Sequence, residues 1–102
     1  MIQIELIKED GYVRGVEVKG HSDYAEHGKD IVCAAISALS ITLLLTIQKY
    51  HKQQSTYITS DGCLKVKVFG NKDIKETQPY FNYFVIGVTS IAEQYPNYVV
   101  LI

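Results

Sequence analysis

Apolar and polar side chains alternate at the start of the chain. Ile2, Ile4 and Leu6 fall on one face of residues 1–8, and Gln3 and Glu5 on the other, the period-two pattern of a half-buried strand. Asp10-Gly11 then reads as a hairpin turn, since glycine adopts positive φ freely and aspartate bonds locally to the turn. Residues 12–19 return as a second strand, with Gly15 marking a bulge. Residues 20–29, GHSDYAEHGK, carry two glycines, two histidines and no apolar period, so they form a loop. From Ile31 to Gln48 no residue is charged. Asp30, just before that run, is a natural N-cap for a helix reaching Tyr50 or His51. Its apolar positions go most of the way round, which predicts cover on more than one side. A second hairpin follows, residues 55–59 and 63–69 around Ser60-Asp61-Gly62, with Leu64, Val66 and Val68 on one face and Cys63, Lys65 and Lys67 on the other. Residues 76–95 have helical spacing in Phe81, Phe84, Val85, Val88, Ile91, Ala92 and Tyr95, provided Pro79 lies in the first turn. Pro96-Asn97 stops that helix, and residues 98–102 close the chain as an apolar strand. The order ββαββαβ predicts an α+β two-layer sandwich: one mixed or antiparallel sheet with two helices packed on it.

Composition narrows the function. The chain has 102 residues, 47% of them hydrophobic, and 10 Lys+Arg against 11 Asp+Glu give a net charge of −1. That length predicts a single domain over residues 1–102. A near-neutral chain lacks the basic field of a general nucleic-acid binder, so no direct nucleic-acid partner is expected. The two cysteines are too few for a disulfide framework, and the start shows no secretory leader. The expectation is a soluble cytoplasmic domain with reduced thiols. The uncharged run approaches the length of a membrane span. Ser37, Ser40, Thr42 and Thr46 make it a poor lipid-facing helix, and the half-buried strands need it as their cover, so no membrane partner is expected.

The chemistry concentrates between Gly20 and Ser37. With Asp30 as N-cap, Cys33 is the third helical residue and sits at the positive end of the helix, where a thiolate is favoured. The effect is small. About 0.3–1 kcal/mol moves a thiol from about 8.5 by less than one pH unit, leaving roughly a tenth ionised at neutral pH. A neighbouring imidazolium does far more. His21 and His27 are the two candidates. His21 is the better placed, because Gly20 and the end of a strand would fix it beside the helix start, whereas His27 lies mid-loop next to Gly28. Free first-turn N–H groups suit an oxyanion, and Ser37 lies one turn beyond Cys33 on the same face. Asp30 caps the helix or orients a histidine.

Plainer roles compete. A cysteine beside Val32, Ala34 and Ala35 can be a small buried hydrophobe, and a helical serine can bond back to a carbonyl. His21, His27, Cys33 and Cys63 could ligate zinc, but their spacing forms no tight knuckle. Neither a metal nor a cofactor is expected. Cys63 reads as a partly exposed thiol and His51 as a cation at a helix end. The aromatic residues of the second helix read as core, except Tyr80 and Tyr83, which suit a groove or a subunit contact.

The segment resembles the Prp family, the ribosomal-processing cysteine proteases of Firmicutes and related bacteria. That pattern is Gly-His, six variable residues, Gly-x-Asp, two residues, Cys, three residues, Ser. It is matched here by Gly20-His21, Gly28, Asp30, Cys33 and Ser37, with Ile31-Val32 and Ala34 also typical. The resemblance implies a cysteine endopeptidase with Cys33 as nucleophile and His21 as general base, and supporting or substrate-binding roles for Gly20, Gly28, Asp30 and Ser37. It implies as substrate the N-terminal extension of large-subunit ribosomal protein number twenty-seven, cut after a short hydrophobic stretch ending in aromatic residues and a small one. It further implies a homodimer and a mobile loop over the site, residues 22–29. A non-catalytic peptide-binding module of ribosome assembly is the alternative use of the same groove.

Overall fold

A computed structural model describes residues 1–26 and 28–102. Strands β1 (Ile2–Glu9) and β2 (Tyr12–Lys19) form the first hairpin, and helix α1 covers Ile31–Tyr50. A 3₁₀ turn at Lys52–Gln54 leads into β3 (Ser55–Ser60) and β4 (Cys63–Val68), then α2 (Asn71–Gln94) and β5 (Val99–Leu101). The five strands make one mixed sheet in the order β3-β4-β2-β1-β5, with β5 parallel to β1 and the other pairs antiparallel.

Local chemistry accounts for the turns. Asp10 and Gly11 have φ of 52° and 82°, the left-handed pair that matches strand twist in a two-residue hairpin. The expected bulge falls at Arg14, because Ile7 pairs with Gly15 but Lys8 with Val13. Gly15 beside it is needed for space: a Cβ there would lie 2.6 Å from the Val66 carbonyl oxygen of the neighbouring strand.

Both helices pack on the face that carries Ile2, Ile4, Val16, Leu64, Val66 and Val68. α1 contributes Val32, Ile36, Leu43, Leu44 and Ile47, and α2 contributes Phe81, Phe84 and Val88. α1 therefore has cover from the sheet and from α2, while Ile31, Ile41 and Leu45 stay exposed on its outer flank. It is long and apolar enough to cross a membrane, yet its buried stripe is the centre of this core.

One helix boundary departs from the sequence pattern. α2 begins at Asn71, five residues before the apolar period suggests, which places Pro79 inside the helix. An interior proline removes one backbone bond and costs about 3 kcal/mol in an exposed helix. The added turns recover contacts that periodicity does not weigh. Buried Thr77 bonds the carbonyls of Asp73 and Ile74, and the Gln78 amide bonds both main-chain groups of Val13, at 3.0 and 2.7 Å. The end of α1 is tied to the start of α2 in the same region. His51 is buried rather than open to solvent, and its Nδ1 lies 2.8 Å from Asp73 Oδ1.

Replacing Asp73 with Ala strands that buried imidazole, and an unsatisfied buried polar group costs about 1–3 kcal/mol. Urea unfolding should show a loss of that size in Asp73→Ala, whereas an unchanged midpoint would mean the pair holds nothing together.

Candidate active site

Gly20 follows the last residue of β2 with φ of 94°, and its N–H donates to the Gly62 carbonyl at 2.8 Å. A Cβ on Gly20 would lie 2.3 Å from the Met1 carbonyl oxygen, so strain and space both require glycine here. That crowded backbone delivers His21 to the edge of the sheet. The ring is half exposed and lies against the β3–β4 turn. Its Nε2 is 3.9 Å from Asp61 Oδ1, and a Cβ on Gly62 would come within 2.8 Å of it.

Asp30 caps α1 as expected, accepting the Cys33 N–H on Oδ1 at 2.9 Å. Its other oxygen takes the Ser22 hydroxyl and, at 3.0 Å, the Tyr24 N–H. Asp30 bonds Ser22, Tyr24 and Cys33 and makes no hydrogen bond to His21. It holds the residue after His21 instead, and Ser22 is buried. Burial pushes the Asp30 carboxyl up, but the N–H of Cys33, the Ser22 hydroxyl and the N–H groups of Tyr24 and Ala25 together outweigh it and hold the carboxyl below its ordinary value. The Tyr24 ring adds a second anchor, meeting Tyr95 and Tyr98 edge-on at 5.5 and 5.2 Å.

Cys33 is half-buried at the start of α1. It shares two adjoining cavities with His21 and Ser37. One, about 340 Å³, runs between α1 and the β3–β4 turn over a floor that includes Val18, Ile36 and Leu64. The other lies under the loop and includes Gly28 and Asp30. Gly28 has φ of 88° and open space around it, so its use is conformational. Ser40 and Thr46 bond back to the carbonyls of Ile36 and Thr42. Ser37 has no such partner among the described residues, which leaves its hydroxyl to the cavities. The Cys33 N–H is occupied by Asp30, so of the first turn Ile31 and Val32 keep N–H groups with no acceptor among the described residues.

The structure thus gathers His21, Gly28, Asp30, Cys33 and Ser37, with Gly20 behind them. Cys63 pairs with Lys19 on the lysine side of the sheet, and it also lines the cavity between α1 and the β3–β4 turn that holds Cys33 and His21. His27 lies outside the described residues, and among those described no group of three His, Cys, Asp or Glu is placed to hold a metal ion. Sequence spacing missed Ser22, Tyr24 and Asp61. Ser22 and Tyr24 lie in a loop without period, and Asp61-Gly62 carries only a turn signal.

The profile of the family described as cysteine protease Prp matches residues 1–100. The ribosomal processing cysteine protease Prp of Staphylococcus aureus strain Mu50 is 28% identical over 100 residues, covering 93% of this chain and 92% of that protein. A crystal structure of an essential ribosomal processing protease Prp from S. aureus, in complex with a covalently linked product peptide, superposes with a TM-score of 0.86 at 25% identity, covering 99% of this chain and 97% of that one. The crystal structure of SMU.848 from Streptococcus mutans gives 0.78 at 33% identity over 99% of this chain and 91% of that one.

A lowered carboxyl adds stability that is complete above the ordinary aspartate range, about pH 4, and is lost as pH falls through the lowered value. The gap in unfolding midpoint between the parent and Asp30→Asn should therefore be widest near neutral pH and close in acid. A gap that ignores pH would contradict the carboxylate's role.

Proposed function

The chain belongs to the Prp family of cysteine proteases, and on that premise we propose that Cys33 is its nucleophile and His21 its general base. The observation that supports this pairing is the pair of cavities shared by Cys33 and His21, the first on a capped helix start and the second on a strained strand end. In this mechanism His21 takes the thiol proton as Sγ attacks the scissile carbonyl. The oxyanion that forms is held by first-turn N–H groups of α1, where those of Ile31 and Val32 have no acceptor among the described residues. His21 then protonates the leaving amine, and water clears the acyl-enzyme. Asp30 acts indirectly, through Ser22, by fixing the backbone that carries His21.

The substrate proposed is the N-terminal extension of large-subunit ribosomal protein number twenty-seven, in line with the ribosomal processing role by which the S. aureus relative is named. The whole chain, residues 1–102, serves as one catalytic domain in the cytoplasm, without a direct nucleic-acid or membrane partner. We further propose a homodimer. A groove between α1 and α2, lined by Leu39, Thr42, Tyr80 and Tyr83, offers an apolar face, and Tyr83 is 76% exposed there.

Cleavage of a synthetic peptide spanning that extension tests the assignment. Cys33→Ala should abolish turnover, and His21→Ala should lower kcat by about 10²–10⁴-fold, the range of general base catalysis. Turnover surviving in Cys33→Ala would refute the nucleophile.

A further inference from the structure

We propose that the open edge of β3 receives the substrate peptide as a sixth strand of the sheet, an inference that rests on the protease reading above. β3 is the outermost strand on its side, so one row of its main-chain groups has no strand to pair with. Two bonds fix which residues supply that row. The Phe69 N–H donates to the Gln54 carbonyl, and the Gly20 N–H to the Gly62 carbonyl. Bonded and non-bonded pairs alternate in an antiparallel ladder. Counting from Gln54–Phe69, the β3 residues bonded to β4 are Thr56, Ile58 and Ser60. Counting from Gly20–Gly62, Leu64 and Val66 bond β2, which agrees. Thr59 and Tyr57, opposite Leu64 and Val66, therefore turn their N–H and C=O groups to the open edge.

That edge leads into the active site. Thr59 and Ser60 line the same cavity as Cys33 and His21. At the other end Gln48 Nε2 bonds Ser55 Oγ at 3.0 Å, which closes α1 onto β3. Between these points a row at i, i+4 spacing runs along α1 through Cys33, Ser37 and Ile41 to Leu45. Ile41 is 48% exposed and Leu45 62%. At 1.5 Å per residue the row spans about 18 Å, and β3 spans about 17 Å at 3.3 Å per residue. An extended peptide of about five residues fits that length. Its main chain would bond Thr59 and Tyr57 at every second residue, and alternate side chains would meet the apolar flank at Ile41. The occupant favoured is thus an extended segment, apolar at alternate positions, with one end at Cys33. A second copy of the chain seated there would cover the cavity that substrate must enter.

The test uses the same synthetic peptide. Thr59→Pro deletes an N–H that β4 does not use, and edge strands accept proline. We expect kcat/KM to fall tenfold or more, carried by KM, while alkylation of Cys33 by iodoacetamide stays within twofold. Binding of the peptide to Cys33→Ala should weaken tenfold when Thr59→Pro is added. N-methylation of successive peptide residues on the paired side should impair cleavage by the parent protein with a period of two, a readout that stands even if Thr59→Pro folds poorly. Parent-like kcat/KM in folded Thr59→Pro, a flat N-methyl scan, or loss of self-association with cleavage intact would each overturn the proposal. Peptide that binds in a Thr59-dependent way but is never cleaved would overturn the protease reading alone.

Discussion

One carboxylate couples the two halves of the candidate site. Asp30 accepts the Cys33 N–H on Oδ1 and the Ser22 hydroxyl and Tyr24 N–H on Oδ2. The helix start that carries the candidate nucleophile and the loop that carries the candidate base are thereby held in one frame. The division of labour explains why no oxygen of Asp30 reaches His21. Charge-assisted bonds to a fixed carboxylate are stronger than neutral ones, and several converge on this atom pair. The site is shallow, so this local frame has to do what depth does in a larger enzyme.

The surrounding fold keeps that frame still. α1 is held at its other end by His51 against Asp73, and along its length by a core in which Ile36, Ile47, Phe81 and Val66 lose nearly all contact with water. β2 reaches His21 through Gly20, whose backbone sits too close to Met1 for any side chain. The candidate base is thus tied to the sheet and the candidate nucleophile to the helix, and Asp30 joins the two. Tyr24 against Tyr95 and Tyr98 extends the same anchoring to the chain's C-terminal elements.

Much of this is legible in the residues alone. Alternation places β1, β2 and β4, turn chemistry adds β3 as the partner of β4, and an apolar run after Pro96-Asn97 places β5. The N-cap, Cys33 and His21 follow from a short local pattern, and the spacing from Gly20 to Ser37 identifies the family. What escapes is long-range. The start of α2 is set by Gln78 bonding Val13 and by Asp73 meeting His51, partners far away in sequence, and against them the proline rule loses. Ser22, Tyr24 and Asp61 gain their positions only when loop, helix start and the β3–β4 turn come together. The direction of β3's free main-chain groups depends on pairing phase, which side-chain pattern does not encode.

The claim that Asp30 holds Cys33 and the His21 loop in a working arrangement is tested most directly by covalent capture. A peptide chloromethyl ketone ending in the proposed cleavage sequence, followed by mass spectrometry of the digested protein, reports both the residue attacked and its rate. Cys33 alone should be labelled, and the rate should fall more than tenfold in Asp30→Ala. Labelling of Cys63, or an equal rate in Asp30→Ala, would contradict that claim.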